Sequence, residues 1–286
     1  MRTSAVLVVA LVAASCAAGP LPPSPLKFPA DGDLSGTLGQ TAVLRPREGP
    51  GPFPAVVLLH TCGGVQPHLF DWARRLTQAG YVALILDSNG PRGVGQNCQG
   101  SLAPVTLDDV ASDADAALAY LRRQSFVNGD RLGVMGFSWG AMAAIRLAGR
   151  SHQARLAGHA AGLRAVAAFY PGCGTDSRDA AVQATYDWDA EFATPILLLL
   201  GESDNEVPFA YCARKADSHK RAGEPVSYKV YPNATHMFDS AEMGPRGLQI
   251  WHGSRGPFLY RYSPDATEDA WGEVRAMFDR YLKDQM

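Results

Sequence analysis

Arg131-Leu132-Gly133-Val134-Met135-Gly136-Phe137-Ser138-Trp139-Gly140-Ala141 reads as a buried strand that turns sharply into a helix. The pattern predicts a strand over Arg131–Gly136 and a helix over Ala141–Leu147. Between them lies G-x-S-x-G, in the strand-to-helix context that a nucleophile elbow requires. So sharp a turn brings the residues two before and two after the serine close together, and both positions hold glycine, Gly136 and Gly140. A serine at a helix N-terminus also sits where negative charge is favoured, as acyl transfer needs. A glycine-rich turn that merely lets a helix pack close to a sheet would look the same at this level.

Working outward, continuous apolar runs alternate with helical periods. Strands are expected at Ala55–Leu59, Tyr81–Leu86, Ala165–Tyr170, Ile196–Leu200 and Val226–Tyr231. Helices are expected at Gln66–Ala79, Thr106–Gln124, Pro208–Arg221 and Asp265–Leu282. In the second of these, Asp108, Asp109 and Asp113 come early and Arg122 and Arg123 late, matching the helix dipole. Apolar strands separated by helices indicate an α/β domain, a mainly parallel central sheet with helices on both faces. Chemistry in such sheets gathers at the C-terminal strand ends.

Two partners for Ser138 should follow in the order acid, then histidine. Gly201-Glu202-Ser203-Asp204-Asn205-Glu206-Val207-Pro208 follows one strand, and Asp204 is the expected acid, with Glu202 and Glu206 as competitors. Pro232-Asn233-Ala234-Thr235-His236 follows the next strand and places His236 at a strand end, with His252 in reserve. An oxyanion hole needs the backbone N–H after the nucleophile, here Trp139. A second N–H is expected from Cys62 in His60-Thr61-Cys62-Gly63-Gly64, where glycines let the backbone approach. His60 precedes the nucleophile and reads as a structural hydrogen-bonding residue.

Composition narrows the class of function. The chain has 286 residues, 47% hydrophobic and 19% charged, with 26 Lys plus Arg against 28 Asp plus Glu. That balance excludes a basic nucleic-acid binder and a disordered polyelectrolyte. Arg2 followed by the apolar run Ala5–Ala14 and small residues reads as a secretory signal peptide over 1–18, too short to span a bilayer. A proline-rich tether over 19–29 follows, and the globular domain is expected over 30–286. Ala13-Ala14-Ser15-Cys16 has the form of a lipoprotein box with Ala where Leu is preferred, so membrane attachment arises only if Cys16 is lipidated; ordinary cleavage near Ala17 or Ala18 is the simpler reading. Of five cysteines, four remain for the folded domain, an even number that suits disulfides in an exported chain. No zinc-type spacing is present and no metal or cofactor is expected.

These residues together resemble the dienelactone hydrolase family of α/β-hydrolases. The similarity runs through Val57-Leu58-Leu59-His60 with Cys62-Gly63-Gly64, Leu86-Asp87-Ser88-Asn89-Gly90-Pro91-Arg92-Gly93 and the elbow. It continues through Phe169-Tyr170-Pro171-Gly172-Cys173, Gly201-Glu202-Ser203-Asp204, and Tyr231-Pro232 with His236 and Phe238. The resemblance implies the α/β-hydrolase fold and a nucleophile, Asp and His acting on esters or lactones without a cofactor, here Ser138, Asp204 and His236. Two departures stand out. The namesake enzymes carry cysteine at the elbow and a glutamate in the oxyanion loop, where this chain has Ser138 and Thr61. They also hold the substrate carboxylate with arginines, one soon after the histidine, where this chain has Asp239-Ser240. A general carboxylesterase or lactonase, secreted or periplasmic and monomeric, is therefore the expectation, with a small-molecule substrate.

With the family's strand neighbours in view, Cys62–Cys98 and Cys173–Cys212 are the expected disulfides. A peptidase or thioesterase on the same scaffold, or a binding module without turnover, remain the competing functions. Specificity is open: Tyr186, Trp188, Phe192, Trp251, Phe258 and Tyr260 in long segments could line a pocket or anchor loops. Arg92, Arg246 and Arg255 could hold an acidic substrate or be solvated charges.

Overall fold

A computed structural model describes residues 41–155, 162–192, 194–253 and 255–283. The expected leader, the expected tether and Cys16 lie outside the described residues. The chain orders its elements as β1 (Ala42–Leu44), β2 (Phe53–Leu59), α1 (Pro67–Gln78), β3 (Val82–Leu86), α2 (Leu107–Arg122) and β4 (Val127–Phe137). Then follow α3 (Trp139–Ala148), α4 (Arg150–Arg155), β5 (Leu163–Phe169), α5 (Ala180–Thr185), β6 (Ile196–Gly201), α6 (Phe209–Arg221) and β7 (Val226–Tyr231). A hairpin, β8 (Leu248–His252) and β9 (Arg255–Tyr260), and the final helix α7 (Pro264–Leu282) complete it.

Seven strands form one sheet in the order β1-β3-β2-β4-β5-β6-β7. β1 is antiparallel to β3, and every other pairing is parallel. Strand alternation divides the apolar residues between two cores. Val57, Leu59, Leu84, Val134 and Leu198 pack with α2, α3 and α6 on one face. Val56, Leu58, Ile85, Met135 and Leu199 pack with α1 and α7 on the other. Both faces are covered, which is why the strands read as unbroken apolar runs. Helix α2 starts on a capping box: the Asp109 N–H donates to Thr106 Oγ1 at 3.1 Å, and the Thr106 N–H donates to Asp109 Oδ2 at 2.9 Å.

Besides adding β1, α4 and α5, the structure extends the sequence reading at three places. Strand β4 begins at Val127, before Arg131, because Phe53 of β2 pairs with Val127 across the polar stretch Asn128-Gly129-Asp130. Helix α3 begins directly after Ser138 instead of at Ala141. The segment after His236, read as irregular, contains the β8–β9 hairpin, turned through Gly253 at φ 62°. Its pattern escapes hydropathy because one face is solvated, with Leu248 and Trp251 exposed. The hairpin nevertheless reaches the C-terminal end of the parallel strands, through a bridge between Tyr260 and His236.

Candidate active site

The elbow explains its own glycines. Ser138 sits at φ 51° and ψ −111°, between the last residue of β4 and the first turn of α3. A Cβ on Gly136 would lie 2.3 Å from the Gly140 carbonyl oxygen, so that glycine is required by the turn closing on itself. A Cβ on Gly140 would instead lie 2.4 Å from the Leu59 carbonyl oxygen. Gly140 is therefore required by the approach of β2, whose end it also grips by donating its N–H to the His60 carbonyl at 3.1 Å. The Ser138 N–H donates to the Phe169 carbonyl at 2.9 Å, so three strand ends fix the serine.

Asp204, in the loop after β6, and His236, in the loop after β7, come to Ser138 as the strand order brings their loops beside the elbow. His236 Nε2 lies 3.0 Å from Ser138 Oγ, and its Nδ1 lies 2.7 Å from Asp204 Oδ2. The other Asp204 oxygen accepts the N–H groups of Glu206 and Val207, both at 2.9 Å. One carboxylate thus holds its own loop with one oxygen and the imidazole with the other. His236 is only 2% exposed. That burial opposes charging the ring, but the negative charges of Asp204 and Glu206 outweigh it and hold the imidazolium above its ordinary pKa.

Strained backbone surrounds the same histidine. Ser138, Tyr170 and Met237 adopt positive φ values of 51°, 38° and 53°. The Tyr170 ring lies 4.7 Å from the His236 ring, and Met237 lines the cavity beside Ser138. Such conformations cost energy and persist only where the surroundings enforce them. Beside Tyr170, one restraining group is Asp239. It is buried and accepts the Trp72 indole N–H at 2.7 Å and the Tyr170 hydroxyl at 2.7 Å. Where the namesake enzymes carry an arginine, this chain thus has a buried acceptor. Asp239→Ala leaves both donors without a partner and is expected to lower unfolding free energy by about 2–4 kcal/mol. Urea unfolding against the wild type measures it, with Asp239→Asn, which keeps an acceptor, losing less.

The cavity at Ser138 has a volume of about 140 Å³. Thr61, the Cys62–Cys98 pair, Met243 and Ile250 line it along with His252 and Tyr260 of the hairpin. Among the described residues, neither the Trp139 N–H nor the Cys62 N–H has a hydrogen-bond partner, so both remain available as donors. The loop carrying Cys62 is pinned by His60, whose Nδ1 contacts the Thr61 carbonyl at 2.6 Å while its Nε2 accepts the Ser88 N–H at 3.1 Å. Burial holds that imidazole below its ordinary pKa, as a neutral ring with one donor and one acceptor demands.

The remaining candidates disperse. Arg92 is locked onto Asp113 by bonds of 2.7 and 3.0 Å and onto the Ser88 carbonyl, so it holds no substrate charge. Arg246 is exposed, and Arg255 faces Glu206. Glu202 is exposed and its side chain accepts the Asn233 N–H at 3.4 Å. Of the six loop aromatics, Tyr260 lines the cavity at Ser138. Trp188 and Phe192 pack on each other and on His219, and Trp251 is exposed. The cysteines pair as expected: Cys62 with Cys98 and Cys173 with Cys212, each with Cα atoms 4.9 Å apart. A nitrogen of His252 and the sulfurs of Cys62 and Cys98 lie within 4.8 Å of one another, but those sulfurs are bonded together and offer no thiolate to a metal. Sequence reasoning weighed Glu206 and His252 only as substitutes for triad members. It missed that they meet each other and Tyr260 beside His236.

Comparison with known proteins agrees with the fold. The model of the dienelactone hydrolase family matches residues 40–282. A candidate carboxymethylenebutenolidase of Methylorubrum extorquens is 29% identical over 243 residues, 82% of this chain and 75% of that protein. A candidate 2-oxo-3-(5-oxofuran-2-ylidene)propanoate lactonase of Bradyrhizobium is 30% identical over 233 residues, 78% of this chain and 82% of that protein. The crystal structure of a candidate dienelactone hydrolase from Klebsiella pneumoniae superposes with a TM-score of 0.64 at 22% identity, covering 84% of this chain and 92% of that one. With a match spanning the sheet, the elbow and both following loops, this chain belongs to the dienelactone hydrolase family.

Proposed function

We propose that this protein is a serine hydrolase of small carboxylic esters or lactones, acting through an acyl-enzyme. The observation that carries the reading is the unbroken chain Asp204 Oδ2 to His236 Nδ1 at 2.7 Å and His236 Nε2 to Ser138 Oγ at 3.0 Å. His236 takes the Ser138 proton as Oγ bonds to the ester carbonyl carbon. Negative charge then passes to the carbonyl oxygen, where the Trp139 and Cys62 N–H groups receive it. The C–O bond to the alcohol breaks as His236 returns the proton to the leaving oxygen. Water repeats the cycle on the acyl-serine and releases the acid.

The relatives' names, a carboxymethylenebutenolidase and a lactonase, support lactones within that class. With Arg92 committed to Asp113 and Asp239 buried, no cation among the described residues lining the cavity at Ser138 is set to hold a substrate carboxylate, which favours a neutral ester. A cavity of about 140 Å³ under a hairpin favours a small ester over a peptide. Two cysteine pairs at bonding distance suit an oxidising compartment, which together with the leader expected from the sequence supports a secreted or periplasmic enzyme. A fluorophosphonate probe should label the purified protein, and peptide mass analysis should place the adduct on Ser138. A folded protein left unlabelled, and inert toward a panel of neutral short-chain esters, would return the reading to a binding module.

A further inference from the structure

The triad accounts for one carboxylate at His236, yet a second lies on the ring's other side. Glu206 Oε2 is 3.9 Å from His236 Nε2, the nitrogen that faces Ser138. Glu206 is not mobile there. The Tyr260 hydroxyl donates to its Oε2, and its Oε1 lies 3.4 Å from His252 Nε2 and 3.5 Å from the Arg255 guanidinium. All three partners belong to the β8–β9 hairpin, and His252 Nε2 closes the cluster by meeting the Tyr260 hydroxyl at 2.9 Å. The Glu206 side chain is 9% exposed. Burial favours its neutral form, but His236, His252 and Tyr260 more than compensate and hold the carboxyl at about 2. It is therefore an anion throughout the working pH range.

Other elements also face His236. Asp204 lies at Nδ1, Tyr170 of the loop after β5 against one face, and Tyr260 of β9 at 5.1 Å between ring centres. Asp239, in its own loop, adds a further negative charge. Arg255 is the cation of the group, and it reaches His236 through Glu206.

We propose that Glu206 is a positioning residue of the hydrolysis, stabilising the imidazolium from the Nε2 side while Asp204 does so at Nδ1, and that the β8–β9 hairpin holds it there. The inference rests on the reading of Ser138, Asp204 and His236 given above. It makes the hairpin part of the reaction's electrostatics as well as a wall of the cavity.

The sign follows from charge. Removing the Glu206 anion destabilises protonated His236, so the base form survives to lower pH and the acid limb moves down. Removing Arg255 unmasks the anion and moves the limb up. The test is the rate of Ser138 labelling by a fluorophosphonate as a function of pH, with turnover of a neutral ester alongside. Glu206→Gln is expected to move the limb down by about one pH unit and to lower plateau kcat about tenfold with KM little changed. Glu206→Asp should restore most of both, and the exposed Arg255→Ala should move the limb the opposite way. Limbs that coincide in wild type, Glu206→Gln and Arg255→Ala, with activity merely scaled down, would overturn the proposal and leave Glu206 as a peg for the loop. If Glu206→Gln fails to fold, the Arg255→Ala displacement decides alone. A wild type that is never labelled at Ser138 would instead remove the parent reading.

Discussion

Ser138→Ala is expected to lower kcat on a neutral ester by at least about 10⁴-fold, leaving the melting temperature nearly unchanged. In the proposed mechanism the serine oxygen is the atom that becomes bonded to the substrate, so no neighbouring group can take over its part. Backbone strain does not change with the substitution, since both residues carry a Cβ at the same φ of 51°. The anchoring bonds from the Ser138 and Gly140 N–H groups are main-chain and survive. A residual rate above water is expected, because the Trp139 and Cys62 N–H groups would still polarise a bound carbonyl. Steady-state kinetics with probe labelling on the same preparation measures the loss. A variant that keeps a tenth of the wild-type rate would remove Ser138 from the nucleophile's place.

Asp204→Asn is expected to lower kcat by about 10³–10⁴-fold with the fold retained. The reason lies in how Asp204 divides its two oxygens. One is required by the Glu206 and Val207 N–H groups, so an asparagine keeps its amide oxygen there and turns its NH₂ toward His236 Nδ1. Nδ1 must then accept, which moves the ring proton to Nε2, where it blocks uptake of the Ser138 proton. The loss is one of tautomer, and so it exceeds the tenfold effect expected at Glu206, which alters only the field at the ring. Near-normal kcat in a folded Asn variant would show that a different carboxylate orients the imidazole.

Much of this arrangement was legible in the chain itself. The parallel sheet was readable because every central strand is buried on both faces, which leaves unbroken apolar runs such as Ala55–Leu59 and Ile196–Leu200. The three candidate triad positions were readable because each follows a strand, and parallel strands deliver their ends to one edge. The hairpin was not readable. Its strands are half solvated, and the contact that docks it, the Tyr260 hydroxyl on Glu206, joins residues 54 apart in the chain.

Local order, then, belongs to the sequence: a strand, G-x-S-x-G, a helix, and an acid and a histidine after later strands. These depend on hydrophobic period and on the steric need for glycine, both short-range. Which carboxylate meets Nδ1 and which meets Nε2 is a tertiary matter. Asp204 and Glu206 are two residues apart and chemically alike. Only the packing of the loops after β6 and β7 puts one at 2.7 Å from Nδ1 and the other at 3.9 Å from Nε2. The same holds for Asp239, whose burial between Trp72 and Tyr170 joins residues from three distant segments. Long-range placement of charge follows from the summed packing of many elements, and no window of sequence contains that sum.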